Sequence, residues 1–335
     1  MKLAGTLVRV FGVLLMLTAL AIPLVRAPDR AVQTLVARWA PPPSDFLDLQ
    51  GQLVHYRDEG PRNDPLPIVL VHGTSASLHT WEGWAKALRG QRRVISFDLP
   101  GFGLTGPFAG RYAGREYTAK EMANFALDVL DALQVKRFVI AGNSLGGEVA
   151  WRVAAAQPQR VERLVLIDSG GYAFEPESIP LGWRLAQLPG FSKLLEHLLP
   201  RPLIVSGLVD VYGDPLRIND ALVDRYFELT LREGNRRALV ERLRHFKFTP
   251  NEALIATLKL PTLILWGRRD RIIPLAIAER FKADIAGSQL VVFDALGHVP
   301  HEEDPEATVL PVKAFLASAS ASASASASAA SSPGS

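Results

Sequence analysis

A five-residue turn limits most strongly what this chain can fold into. An apolar run over residues 138–141 leads into Gly-Asn-Ser-Leu-Gly at residues 142–146, and a helix-compatible run begins at Leu145. The pattern G-x-S-x-G at the end of a strand is typical of a nucleophile elbow. A serine in so tight a turn crowds the residues two positions away, so glycine is needed on both sides. The pattern predicts that Ser144 holds its hydroxyl clear of a sheet, beside the first N–H groups of the next helix.

Composition excludes several other kinds of site. The chain has 335 residues, of which 48% are hydrophobic, enough to bury one large α/β core or two ordinary ones. Its formal net charge of +3 is small and its basic residues are scattered, so nucleic acid is not an expected partner. There is no cysteine, and the scattered histidines lack metal-ligand spacing. We therefore expect no disulfide, no cysteine nucleophile, no metal and no other cofactor.

The N-terminal region is apolar and differs from the rest of the chain. Lys2 precedes an apolar segment that Arg9 interrupts, and residues 10–25 carry no charge. We expect residues 3–25 to be an uncleaved membrane anchor, with the body exported to the periplasmic or extracellular side. Secretion after signal cleavage is one alternative, although residues 22–27 offer no convincing cleavage site. A soluble protein with an apolar N-terminal helix packed on its own body is another.

Low-complexity sequence flanks the body on both sides. Residues 1–40 comprise the anchor or signal segment and lead into a stiff, proline-rich linker at residues 40–44. Alternating alanine and serine dominate residues 318–335, which therefore have nothing to bury in a core and are predicted to form a disordered tail. The folded body is expected at about residues 45–317.

Within the body, short apolar runs alternate with amphipathic helical segments. Residues 68–71, for example, are apolar throughout, as expected for a strand buried on both faces of a parallel sheet. This alternation predicts a doubly wound, mostly parallel α/β sheet. Predicted strands lie at residues 46–56 (a hairpin), 68–71, 94–97, 138–141, 163–168, 262–266 and 289–293, and predicted helices at 118–133, 145–156, 275–286 and 305–316.

One long segment breaks the alternation. Between Asp168 and Thr262 the sequence has four helical patterns and no clear buried strand. We therefore expect two core segments, residues 45–170 and 258–317, separated by a helical cap at residues 171–257. An insertion at this point would lie over the carboxyl ends of the strands, where open α/β sheets bind ligands.

Serine chemistry needs a base within hydrogen-bond reach and a third group that orients the base. Asp270 and His298 each follow a predicted strand, so both belong at the sheet edge that carries Ser144. The chain order serine, aspartate, histidine also fits this kind of elbow. Two alternatives stay open at this point. Asp168 also ends a strand and could be the acid, and His301 could be the base.

These motifs together resemble the α/β-hydrolase fold family, and within it the lid-bearing serine esterases and carbon–carbon-bond hydrolases. The resemblance covers about residues 46–316. It is carried by Val-His-Gly-Thr at 71–74, Asp-Leu-Pro-Gly-Phe-Gly at 98–103, Gly-Asn-Ser-Leu-Gly-Gly at 142–147, Trp-Gly-Arg-Arg-Asp-Arg-Ile-Ile-Pro at 266–274 and Gly-His at 297–298. It implies an α/β-hydrolase fold, that is, a doubly wound, mostly parallel sheet with an inserted helical cap.

The resemblance also implies a Ser-His-Asp triad. Ser144 would attack the scissile carbonyl, His298 would take its proton and pass it to the leaving group, and Asp270 would hold the histidine tautomer. The backbone N–H groups of Thr74 and Leu145 would bind the oxyanion of the tetrahedral intermediate.

The serine at the elbow narrows the function further. Haloalkane dehalogenases and epoxide hydrolases resemble this fold but carry aspartate there, so both are largely excluded. Carbon–carbon hydrolases share the Gly-Asn-Ser-x-Gly-Gly elbow, but residues 73–77 and Val299 depart from their pattern. We therefore expect a serine hydrolase that cleaves a small, lipophilic carboxylic ester through an acyl-enzyme. The alternatives are a carbon–carbon hydrolase of a vinylogous diketone and a catalytically silent binding protein on the same fold.

Overall fold

An eight-stranded sheet forms the centre of the computed structural model, which describes residues 26–188, 198–245 and 251–330 and, before these, residues 6, 9, 11–13 and 16. The strands are β1 (Ser44–Asp48), β2 (Leu53–Glu59), β3 (Ile68–Val71), β4 (Val94–Phe97), β5 (Phe138–Asn143), β6 (Val161–Ile167), β7 (Thr262–Gly267) and β8 (Gln289–Phe293). They lie in the order β1-β2-β4-β3-β5-β6-β7-β8. The β1–β2 and β2–β4 pairs are antiparallel, and all the other pairs are parallel.

Helices pack on both faces of this sheet. In chain order, the helices of the body are α1 (Val32–Trp39), α2 (Glu82–Leu88), α3 (Ala119–Ala132), α4 (Leu145–Ala156), α5 (Leu181–Gln187), α6 (Arg201–Val211), α7 (Asp220–Thr230), α8 (Asn235–His245), α9 (Glu252–Ile255), α10 (Leu275–Asp284), α11 (Pro300–Glu303) and α12 (Pro305–Ala330). Side chains alternate along a strand, so Val69 and Val71 of β3 join the core under α3, α4 and α10, while Ile68 and Leu70 join the core under α2 and α12. The predicted doubly wound, mostly parallel α/β fold is confirmed.

The segment between β6 and β7 supplies helices α5 to α9, and its described residues form no strand of the sheet. We call these five helices the cap. A backbone bond joins the cap to the edge of the sheet, because the N–H of His298, after β8, donates to the carbonyl of Val211 at the end of α6 (2.7 Å). The division of the chain into core, cap and terminal segments stays a prediction.

The predicted membrane anchor at residues 3–25 is not supported. No helix in the described residues combines the length and the apolar character needed to cross a bilayer. Most of residues 3–25 lies outside the described part of the chain. The membrane-attached, exported location that we expected is therefore contradicted. The physical reason is visible in the sequence, because Arg9 divides the apolar segment and leaves an uncharged run shorter than the about 20 residues of a spanning helix.

Residues 26–40, which we call the N-terminal strap, pack against the cap. The indole Nε1 of Trp39, at the end of α1, donates to the carboxylate of Glu228 in α7 (2.7 Å), and Arg38 pairs with the same carboxylate (2.8 Å). Leu35 is buried in a small apolar cluster formed with the cap and the core. The strap is thus attached to the body, because α1 has an apolar side to bury.

The last helix also differs from the sequence prediction. α12 continues to Ala330, through most of the alanine and serine repeat for which we predicted disorder, and residues 331–335 lie outside the described part of the chain. Alanine has the highest helix propensity, and extending an existing helix is easier than starting one. The first part of α12 is already fixed by buried side chains such as Val312 and Phe315. The repeat therefore continues a helix that packing has started.

Candidate active site

Ser144 lies between β5 and α4, in the turn that the sequence predicts. Its backbone has φ 54° and ψ −116°, a conformation that residues with a side chain rarely adopt. A Cβ on Gly142 would overlap the carbonyl group of Gly146, and a Cβ on Gly146 would overlap the carbonyl oxygen of Val71. The turn is therefore possible only with glycine at both positions, and it holds Ser144 at the boundary between the sheet and the cap.

Asp270 and His298 form a hydrogen-bonded pair at the same edge of the sheet. Nδ1 of His298, after β8, donates to Oδ2 of Asp270, in the turn after β7 (2.8 Å). Oδ1 of Asp270 accepts the backbone N–H groups of Ile272 (2.8 Å) and Ile273 (2.9 Å). These three donors fix the carboxylate and stabilise its negative charge. Because Nδ1 of His298 carries the proton toward Asp270, its Nε2 has a lone pair that can accept another proton.

Two buried side chains that the sequence analysis missed hold the loop of His298. The Nδ2 amide of Asn143, the residue before Ser144, donates to the carbonyl of His298 (2.8 Å). The carboxylate of Glu303 accepts the N–H of Gly297 (2.9 Å) and two further N–H groups from the segment between α6 and α7. An acidic run such as the one around Glu303 is typical of an exposed helix start, so the sequence carries no signal of this inward contact.

The loop after β3 is shaped by His72. Its Nδ1 donates to the carbonyl of Gly73 (2.7 Å), and its Nε2 accepts the N–H of Leu99 (2.9 Å). Complete burial lowers the pKa of His72, so the ring stays neutral and serves the loop structure. Thr74 follows in this loop and lies on the same cavity wall as Leu145. Leu145 begins α4, where backbone N–H groups have no acceptor within the helix.

Two cavities meet at Ser144 beneath the cap. Cavity A has a volume of about 1060 Å³ including its open mouth, and His298 also lines it. Cavity B has a volume of about 1080 Å³ including its open mouth, and Leu145 also lines it. Thr74 and Trp183 line both. Most of the other walls are apolar: Leu203, Ile204, Leu208, Val211, Leu239 and Val240 in cavity A, and Tyr172, Phe174, Ile179, Leu243, Ile272 and Ile273 in cavity B. A molecule bound across Ser144 would therefore meet apolar surface on both sides of the reacting atom.

A comparison with models of protein families shows to which family this chain belongs. A family model described as the alpha/beta hydrolase fold matches residues 67–305, a range that includes the elbow, Asp270 and His298. The chain belongs to the α/β-hydrolase fold family. The resemblance that the sequence motifs suggested is thereby confirmed.

Relatives of this α/β-hydrolase cover most of its length. The 2-hydroxymuconate semialdehyde hydrolase of Pseudomonas sp. (strain CF600) is 31% identical over 264 residues, which are 76% of this chain and 87% of that protein. A meta-cleavage product hydrolase from Pseudomonas fluorescens IP01 has a similar structure, with a TM-score of 0.69, 25% identity, and coverage of 82% of this chain and 98% of that one. A bacterial membrane phospholipase A gives a TM-score of 0.66 at 26% identity and covers 95% of this chain and 97% of its own.

Asp168, the alternative acid, lies beside the Asp270–His298 pair of this α/β-hydrolase. It follows β6, is completely buried and accepts the N–H of Gly267 at Oδ1 (3.0 Å). The hydrogen bond of His298 goes to Asp270. Burial, reinforced by the negative charge of Asp270, raises the pKa of Asp168 well above its usual range. A negative charge on Asp168 is therefore disfavoured, and it is Asp270 that accepts the hydrogen bond of the histidine.

The same three side chains are close enough to raise the question of a metal ion. Oxygen atoms of Asp168 and Asp270 and a ring nitrogen of His298 lie within 4.8 Å of one another, and no other such group occurs among the described residues. Metal ligands must be deprotonated, however, and burial raises the pKa of Asp168 and so disfavours its ionised form. Asp270 and His298 are in addition bonded to each other. The three side chains are therefore better suited to hydrogen bonding with one another than to binding a metal ion.

His301, the alternative base, belongs to the core. Its ring lies against the indole of Trp81, with 4.1 Å between the ring centroids, and Trp84 packs beside it. Burial, with a smaller effect of the charge of His298, lowers the pKa of His301 to about 3. His301 lines neither cavity A nor cavity B. It therefore has neither the access nor the basicity that proton transfer from Ser144 requires.

Proposed function

We propose that this α/β-hydrolase cleaves carboxylic esters through an acyl-enzyme formed on Ser144. The observation that carries the proposal is the strained backbone of Ser144 in the cavity that His298 lines, with Nδ1 of His298 bonded to Asp270. In this proposal Nε2 of His298 takes the proton of the Ser144 hydroxyl and then delivers it to the leaving alcohol. Asp270 keeps the histidine in the required tautomer and stabilises the imidazolium.

The oxyanion of the tetrahedral intermediate is assigned to the backbone N–H groups of Leu145 and Thr74. Support comes from the position of Leu145 at the start of α4, where the N–H groups are unpaired and the helix dipole favours negative charge. Thr74 lines both cavities beside Ser144. Removing one such donor in serine hydrolases costs about 10²–10³ in rate.

The shape of the two cavities supports a lipophilic ester. The acyl group and the alcohol of an ester leave the reacting carbon in different directions, and cavities A and B each offer an apolar wall next to Ser144. Burial of apolar groups in both would contribute binding energy at about 25 cal/mol per Å² of surface removed from water. One structural neighbour is named a phospholipase A, which fits cleavage of an ester in a lipid.

Carbon–carbon bond cleavage is the second candidate. It is favoured by the 31% identity with a 2-hydroxymuconate semialdehyde hydrolase and by the asparagine that precedes the serine in the elbow. It is disfavoured by Val299, which lines cavity A directly after His298 where those enzymes tend to carry an aromatic residue. Residues 73–77 also depart from the loop of the carbon–carbon hydrolases. We therefore rank ester hydrolysis first.

Labelling with a fluorophosphonate probe, together with a substrate panel, tests the proposal. We expect the wild type to be labelled and to hydrolyse p-nitrophenyl esters, and Ser144→Ala to lose both properties with an unchanged circular dichroism spectrum. Ser206→Ala, at an exposed position of α6, is the matched control and should behave as the wild type.

Two outcomes would contradict ester hydrolysis on Ser144. Full esterase activity in Ser144→Ala would exclude the nucleophile, and an unlabelled, inactive wild type would favour the silent binding protein. A higher kcat/KM for a vinylogous diketone than for every ester of a chain-length series would favour the carbon–carbon hydrolase.

A further inference from the structure

Two buried carboxyl groups meet behind His298, although the proposed triad needs only one. Asp168 and Asp270 follow the neighbouring parallel strands β6 and β7, and atoms of both lie within 4.8 Å of a ring nitrogen of His298. The backbone holds Asp168 firmly, because its N–H donates to Leu265 (3.1 Å) and its Oδ1 accepts the N–H of Gly267 (3.0 Å). Its φ of 43° is unusual for a residue with a side chain.

The hydrogen bonds of the two acids decide which one holds a proton. Two carboxylates this close do not both ionise. Asp270 accepts three hydrogen bonds, from Ile272, Ile273 and His298, all of which stabilise a negative charge. Asp168 accepts one, and its buried Oδ2 has no hydrogen-bond partner among the described residues. The geometry therefore assigns the charge to Asp270 and the proton to Asp168.

We propose that Asp168 donates its proton in a hydrogen bond to the carboxylate of Asp270 and is thereby a positioning residue for the Asp270–His298 pair. This inference rests on the proposed function of that pair. The bond would give Asp270 a fourth donor, which fixes its orientation toward Nδ1 of His298. It would also spread the negative charge of Asp270, so that the imidazolium is held less tightly and the neutral imidazole is kept available as the base.

The other ionisable groups around Asp168 favour the same assignment. Asp270 faces it from the turn after β7, His298 from the loop after β8, and Glu303 from α11. The carboxylates of Asp270 and Glu303 both oppose a second negative charge in this buried place. Burial of Asp168, together with these charges, raises its pKa well above the usual range.

Asparagine at position 168 is a close mimic of the protonated acid. Its Oδ1 can accept from Gly267 and its Nδ2 can donate to Asp270, whereas alanine can do neither. We expect Asp168→Asn to keep its kcat/KM for a p-nitrophenyl ester and its rate of fluorophosphonate labelling within a few-fold of the wild type. We expect Asp168→Ala to lose about tenfold in both, as for removal of one buried hydrogen bond. The acidic limb of its pH profile should move to higher pH, because a full charge on Asp270 favours the protonated imidazole.

Infrared difference spectra test the location of the proton without any assay of activity. The spectrum of the wild type minus that of Asp168→Asn at neutral pH should contain the carbonyl band of a protonated carboxylic acid, and this band should shift in D₂O. Absence of the band would overturn the proposal, even if Asp168→Ala failed to fold. If the wild type were not labelled by the fluorophosphonate, the proposed function would fail while the infrared result would still decide the state of Asp168.

Two kinetic results would also overturn the positioning role. Asp168→Asn could lose as much activity as Asp270→Asn, for which about 10⁴-fold is expected in a triad. Asp168 would then act as an ionised acid. Alternatively, a folded Asp168→Ala could keep the wild-type rate and the wild-type pH profile. The contact with Asp270 would then have no part in the reaction.

Discussion

Two histidines three residues apart have opposite surroundings in this α/β-hydrolase. His298 lines cavity A and is bonded to Asp270. The ring of His301 is enclosed by Trp81 and Trp84, and neither of its nitrogens has a hydrogen-bond partner among the described residues. A buried imidazole without a partner can hardly accept a charge. The two residues thus show how burial and a carboxylate partner, and not the residue type, decide which histidine can be a base.

Replacing His301 by phenylalanine should make the protein less sensitive to acid. The pKa of the His301 imidazole is lowered to about 3 in the folded state, from 6.5 in the absence of the fold. Between these values the unfolded chain binds more protons, so stability falls as the pH falls. In urea unfolding between about pH 7.5 and 5, His301→Phe should reduce the slope of stability against pH by up to about 1.4 kcal/mol per pH unit below the unfolded pKa. His245→Phe, at an exposed position, is the control, and equal slopes in both variants would contradict the prediction.

At the scale of elements, an ion pair joins the strap to the cap at the wall of cavity A. Arg236 in α8 lines this cavity and is 5% exposed. Its Nε (3.2 Å) and Nη2 (2.5 Å) donate to the carboxylate of Asp29 in the strap. The strap therefore supplies the negative charge that makes a buried arginine tolerable next to apolar side chains. The charge pair joins the N-terminal region to the cavity wall although its two members are 207 residues apart in sequence.

Asp29→Ala should destabilise the protein by about 1.5–3 kcal/mol, because it leaves the buried charge of Arg236 without its carboxylate. In Asp29→Ala combined with Arg236→Met most of this loss should be recovered, since no uncompensated charge remains. Urea unfolding of the two single variants and the double variant measures the coupling. Glu177→Ala, which removes an exposed carboxylate of the segment leading to α5, is the control. A double variant as unstable as Asp29→Ala would show that the charge of Arg236 is not the cause.

At the scale of the whole molecule, the sequence predicted those features that a local pattern encodes. Buried strands appear as apolar runs, and Ser144, Asp270 and His298 each stand at the end of one. The structure brings Asp270 and His298 into contact, and Ser144 and His298 line the same cavity. The contact of Asn143 with the loop of His298, and the contacts of the strap, depend on which distant segments meet. No local pattern records such meetings. The membrane anchor was expected from hydropathy and flanking charges, and the helices of the described residues do not support it.

The last helix, α12, was likewise not fully predicted from local sequence patterns. Truncation of the chain tests where the stabilising contacts of α12 end. The buried apolar side chains among the described ones of α12 are those of Val309, Val312, Phe315 and Leu316, which pack against one face of the sheet. We expect the free energy of unfolding of a chain that ends at residue 317 to differ by no more than about 0.5 kcal/mol from that of the full chain. This is the range usual for changes away from buried contacts. Its helical circular dichroism signal should fall, because residues 318–330 are helical in the full chain.

A matched change inside the packed part of α12 should behave in the opposite way. Phe315→Ala removes a large side chain that is 5% exposed, so the free energy of unfolding should fall by about 3–5 kcal/mol with little change in helical signal. Urea unfolding of both proteins beside the full chain provides the comparison. A marked loss of stability on truncation would mean that the alanine and serine repeat contributes contacts of its own. In that case the fold would depend on a segment whose sequence gives no sign of a core.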